Sequence, residues 1–166
     1  TAKGMAAAND AVTLTSVFGD VVVRSITPDS GAVKVTSVNG GVQLPVTGSI
    51  VTTGSAFVTA DTNNGGISLA GRIAALGAGS NVAISSANGT VDITATADIS
   101  AQDQLKLFAP VGPVTLSTSK FTGDRLSWTA AGNLFSPLAG FRSVNVTRTD
   151  DGPLAINSSI AGTLTV

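Results

Sequence analysis

The chain has 166 residues, enough for one domain with its own core, and it carries 19 Gly, 43% hydrophobic and only 11% charged residues. All ten acids are Asp, and Cys, Glu, His and Tyr are absent, which excludes a disulfide framework. A net charge of −1 with nine scattered Lys and Arg gives no electrostatic footprint for nucleic acid, and no apolar run reaches the ~20 residues of a membrane span.

Val, Ile and Thr are abundant while strong helix formers are scarce, so the chain reads as all-β. In chain order, the first element is the apolar doublet Val12/Leu14. Next comes Val33/Val35, nine residues ahead of Val42/Leu44. The same offset of nine separates Val58/Ala60 from Ile67/Leu69, Val82/Ile84 from Val91/Ile93, and Leu105/Leu107 from Val114/Leu116. Val144/Val146 precedes Leu154/Ile156 by ten. The second doublets recur at intervals of 25, 24 and 23 residues from Val42 to Val114. Val12/Leu14 and Leu154/Ile156 fit that anchor role at either end.

Residues i and i+2 of a strand face the same side, so each doublet is a strand with two inward side chains. A thinner apolar signal at Val22, Ile50, Ile73, Ile99 and Ile160 supplies a third strand per repeat. The pattern predicts an all-β, right-handed parallel β-solenoid of about 5–6 coils with three strands per coil. At ~4.8 Å per coil its shaft is roughly 25–30 Å long. An antiparallel sandwich also shows short alternating strands, but its loops have no reason to keep a constant offset.

The corner before each anchor has its own chemistry. Asn9, Asn39, Asn64, Asn88, Val111 and Asp151 are followed by Asp10, Gly40, Gly65, Gly89, Gly112 and Gly152. Asn-Gly is a strong turn signal because both residues tolerate positive φ. Gly65 and Gly89 are therefore expected to adopt it, and stacked Asn side chains to bond along the ladder.

The phrases Gly66-Ile67-Ser68-Leu69, Asn81-Val82-Ala83-Ile84 and Thr90-Val91-Asp92-Ile93-Thr94, within residues 41–116, resemble the filamentous-haemagglutinin-type β-solenoids of large bacterial surface and secreted proteins. The resemblance implies an extracellular, cell-surface location and a role as a shaft or adhesive segment of a fibre. Residues 1–166 read as one solenoid domain with an expanded coil over 117–143. The absence of a leader at Thr1 and the uncapped strand Leu164-Thr165-Val166 predict an excised piece, or a subunit that stacks end to end. The leading expectation is a non-catalytic structural or adhesive element. The alternatives are a carbohydrate-binding or polysaccharide-cleaving module and a self-assembling filament subunit.

For cleavage, the candidate carboxylates are Asp150 and Asp151 beside Arg148 and Arg142, and Asp98 with Asp103. Asp151 fills the corner slot of Asn elsewhere, which accounts for it structurally, so no catalytic residue is assigned. Asp61, Asn63 and Asn64, or Asp150 and Asp151, are candidate calcium ligands, but neither set has a calcium-loop spacing and turn residues explain both, so no cofactor is expected. Neither Thr13, Gln43, Ser68, Asp92, Thr115, Ala155 nor Lys34, Thr59, Ala83, Lys106, Asn145, Thr165, the outward rows, is the Thr ladder that ice binding needs. The expanded coil holds the candidate partner-binding residues Phe121, Arg125, Trp128, Phe135 and Phe141, where aromatics near cations suit a surface glycan or a protein ligand. The competing reading is that these rings pack as a satellite core.

Overall fold

The computed structural model describes residues 11–28, 30–60, 65–132, 138, 140–152, 154–156 and 162–166. It is a parallel β-solenoid of about six turns, with no helix among the described residues. The first coil comprises β1 (Val12–Ser16), β2 (Val21–Val22) and β3 (Ser25–Ile26). The next three repeat that order: β4 (Val33–Ser37), β5 (Val42–Leu44), β6 (Ser49–Thr52); β7 (Ala56–Ala60), β8 (Ile67–Leu69), β9 (Arg72–Ala75); β10 (Val82–Ser86), β11 (Val91–Ile93), β12 (Asp98–Ala101). In the fifth coil, β13 (Gln104–Leu116) runs through the corner and joins two faces before β14 (Lys120–Thr122). β15 (Arg125–Ala131), β16 (Ser143–Arg148) and β17 (Thr163–Thr165) continue one face only.

All pairings are parallel, in three faces. The first face runs β1-β4-β7-β10-β13-β15-β16-β17, the second β2-β5-β8-β11-β13, and the third β3-β6-β9-β12-β14. Alternation decides what each strand buries. On the second face Val42, Ile67, Val91 and Val114 stack in one row, with Leu44, Leu69, Ile93 and Leu116 beside them. The third face stacks Ile26, Ile50, Ile73, Ile99 and Phe121. These side chains are buried in one continuous core, and each stabilises the fold by about 1.5–3 kcal/mol on full burial.

The register differs from the sequence expectation at three places. Val12 pairs with Val33, so Val12/Leu14 belongs to the first face, and the first strand of the anchor face begins at Val21. Val22 faces outward there, opposite Gln43, and Ile26 fills the third-face row instead. In the third coil Ala56/Val58, not Val58/Ala60, aligns with Val33/Val35. A slip of two residues preserves the inward side, so the apolar pattern does not distinguish the two registers. Leu154 and Ile156 pack, partly buried, against the core. Asn9, Asp10 and Ile160 lie outside the described residues.

The corner glycines serve a purpose other than the expected one. Positive φ occurs at Gly19, Gly31, Gly79 and Gly132, but not at Gly89. A Cβ on Gly89 would stand 2.3 Å from the Gly65 carbonyl oxygen, and one on Gly112 would stand 2.3 Å from that of Gly89. Here glycine permits backbone to stack on backbone. Buried hydroxyls clasp this corner to the coil before. Ser86 Oγ donates to Gly65 O at 2.9 Å and accepts from Gly89 N at 3.1 Å. Thr52 and Thr118 do the same at other corners, donating to Gly31 O and Ala97 O. Of the Asn side chains, Asn39 Nδ2 donates to Val17 O at 2.9 Å, a bond between adjacent coils.

Candidate functional site

Within the expanded coil, the described strands continue the regular stack. β14 and β15 carry residues 120–122 and 125–131 into the third and first faces. Phe121 succeeds Ile99, and Trp128 stands between Leu107 and Val146 in the first-face row. Both rings are buried, as is Phe141, whose centroid lies 5.9 Å from that of Phe121. These three rings line the core and offer no exposed face. Phe121 and Trp128 occupy slots that Ile, Leu and Val fill in neighbouring coils. Phe135 lies outside the described residues.

Arg125 is exposed, and its guanidinium grips Asp103 of the preceding coil at 2.8 and 2.6 Å. Those hydrogen bonds hold the Asp103 carboxyl below the ordinary range and push Arg125 further up. Asp124, in turn, accepts from Arg142 of the next coil at 2.5 Å. A ladder of ion pairs thus climbs the corner that opens the last coils. It ties one coil to the next and pairs Asp103 and Asp124 with arginines.

Asp98 and Asp150 also face arginines. Asp98 faces Arg72 across one coil step at 3.7 Å, whereas Asp103 is paired with Arg125, so the two carboxylates have different cationic partners. Asp150 is clasped by Arg148 and accepts from Gly132 N at 3.2 Å. The Arg148 hydrogen bond drives its carboxyl far below the ordinary carboxylate value, a state unsuited to a general acid. Asp61, Asn63 and Asn64 lie outside the described residues.

Two concavities are found among the described residues. The first is an open groove of about 510 Å³ along the corner of the second face, floored by Gly40, Gly41, Gly65 and Gly66. Asp20 stands at one end and Asp92 at the other. Asp20 accepts from Gly41 N at 2.8 Å and Gln43 Nε2 at 3.2 Å. Three coil steps separate the two carboxylates along the stack, about 14 Å at the strand spacing. Paired glycosidase carboxylates stand no more than about 9.5 Å apart, so this groove does not juxtapose an acid and a base.

The second concavity is a notch of about 260 Å³ on the outer surface of the first face, lined by Ala83, Ile84, Ser85, Lys106 and Phe108. It exists because Ala83 is the small residue in an outward row between Phe57 and Lys106. The neighbouring outward row reads Thr15, Thr36, Thr59, Ser85, Phe108, Thr129, Thr147. Sequence reasoning missed this hydroxyl row, because the two-residue slip at β7 put Thr59 beside Lys34 instead of Thr36. It is not a flat Thr array: Thr36 is buried and Phe108 interrupts it.

The class of protein is thus a parallel β-solenoid in which several polar side chains bond adjacent coils together. Compared with known proteins, the chain matches no family model, no curated protein and no solved structure.

Proposed function

We propose that this chain is a non-catalytic structural and adhesive segment of an extracellular fibre or large cell-surface protein, of the filamentous-haemagglutinin type. The observation that carries the proposal is the stacked core: among the described residues, inward rows stack from coil to coil while alternate side chains of the strands point outward. Such a stack is quasi-one-dimensional, so its stability lies in the interfaces between neighbouring coils, which suits a load-bearing spacer. The non-catalytic part rests on the pairing of Asp103, Asp124 and Asp150 with Arg, and on the separation of Asp20 from Asp92.

Antibody raised against the chain tests this reading on the cells that produce it. Intact cells are expected to label as strongly as permeabilised ones. Labelling confined to permeabilised cells overturns the extracellular assignment. Depolymerisation of a polysaccharide by the purified chain, abolished by Asp150→Asn with the fold intact, overturns the non-catalytic one.

A further inference from the structure

The outer surface of the first face differs in charge from the corner groove of the second. The groove is lined by Asp20 and Asp92 with no Lys or Arg. On the first face Lys34 and Lys106 project outward in the same row, and no acidic side chain projects from its described strands. Between the two lysines stand Phe57, 38% exposed, and Ala83. The Lys106 ammonium lies 5.7 Å from the centroid of the Phe108 ring, a contact that holds the cation at the rim of the notch. Ser85 lines the notch, and Thr59 is its neighbour one coil away.

We propose that this notch binds an acidic saccharide, with one sugar ring seated over Ala83 and Ser85 between Phe57 and Phe108, and its carboxylate or sulfate on Lys106. Each part of such a ligand meets a fitting group. The C–H face of the ring packs on an aromatic surface. Its hydroxyls meet Ser85 and Thr59, and its anion meets a lysine with no competing carboxylate on that sheet surface. Lys34 lies three coil steps from Lys106 in the same row, about 14 Å along the shaft, where it meets a second anionic group of the same chain. A net charge of −1 supplies no bulk attraction for a polyanion, so binding depends on this local pattern.

The site rests on the solenoid-shaft reading, since the stacked coils hold the row in line, and it gives the adhesive role a ligand class. The two fail separately, because cell labelling reports location and saccharide binding reports the notch. The test is titration calorimetry of the full chain with three hexasaccharides: an oligouronate, a sulfated glycosaminoglycan fragment and a neutral glucan. At least one acidic chain is expected to bind and the neutral one not. Which acidic chain binds distinguishes carboxylate from sulfate as the source of the charge. Lys106→Gln and the notch-filling Ala83→Phe should each weaken binding about tenfold or more. Lys120→Gln, exposed on the third face, should leave it unchanged. Circular dichroism verifies that each variant is folded. Absence of binding by both acidic chains overturns the proposal. Equal binding of the neutral glucan does so too, as does a loss with Lys120→Gln matching that with Lys106→Gln.

Discussion

Replacing Gly89 by Ala tests whether the corners are set by crowding or by backbone twist. The new methyl would lie 2.3 Å from Gly65 O and 2.6 Å from Gly65 C, where ordinary contact begins near 3.4 Å. Both obstacles are backbone, so no side chain swings aside and one coil must move away from the next. That movement strains the Ser86 clasp, which bonds to Gly65 O and Gly89 N. Losing two bonds at about 1 kcal/mol each, with overpacking of about 1–3 kcal/mol, outweighs the ~0.4–1 kcal/mol that Gly→Ala returns through the unfolded chain. The net expectation is a loss of about 2 kcal/mol or more, read from the urea midpoint at unchanged slope. Two glycines serve as controls. Gly79 has φ +71° and open space around its Cβ position, so Gly79→Asn should be tolerated better than Gly79→Ala. Gly140 has neither constraint, so Gly140→Ala should be neutral or slightly stabilising. At Gly89 the larger Asn must be worse than Ala. If Gly89→Asn proves milder than Gly89→Ala, twist rather than crowding governs the corner and the argument fails.

Trp128 is fully buried, and its Nε1 has no hydrogen-bond partner among the described residues. Trp128→Phe should therefore cost far less than the ~3–5 kcal/mol expected of Trp128→Ala, as thermal unfolding of the pair would reveal. Ile93→Ala, in the middle of the second-face row, should cost about 2–4 kcal/mol through lost burial and a residual cavity, measured by the same denaturation. Asp150, held far below its ordinary value of 3.8 by Arg148, binds protons more weakly folded than unfolded. Its contribution is fully present above that value and is lost as pH falls toward the folded one. Asp150→Asn should therefore flatten part of the acid limb of a plot of Tm against pH, with little change in shape near neutrality.

Much of the fold was legible because burial imposes period two on every strand, and stacking repeats it at a nearly fixed interval. Ile67/Leu69, Val91/Ile93 and Val114/Leu116 announced themselves this way and align as expected. The errors arose where that signal is degenerate. Doublets look alike on every face, so the pattern does not separate first-face Val12/Leu14 from the anchor doublets. Ala56, Val58 and Ala60 all point inward, and nothing apolar separates the two readings of β7. Asn-Gly marked the corners correctly, but it does not say whether glycine is needed for its φ or for its missing Cβ. The candidate site was the least legible part. Phe121 and Trp128 were conspicuous because they are large, and they are large because they fill the core. The notch at Ala83 was invisible because its key residue is small, and its neighbours come from three different coils.

Apolar rows alone leave the register of such a stack underdetermined. Sliding one coil by two residues keeps every inward side chain inward, so the hydrophobic term barely opposes it. The polar contacts oppose it, because they do not repeat identically from coil to coil. Asp20 meets Gly41 and Gln43 only at the first step, and Asp103 meets Arg125 only at a later one. Ser86 has its carbonyl and amide partners only when Gly89 lies against Gly65. A slip would bury that hydroxyl unpaired, at about 1–3 kcal/mol, and press a side chain into a slot that admits glycine alone. The corners therefore select the register that the core merely permits. The same division of labour frees the outward residues of the first face, from Lys34 to Phe108, which neither the core nor the corners require.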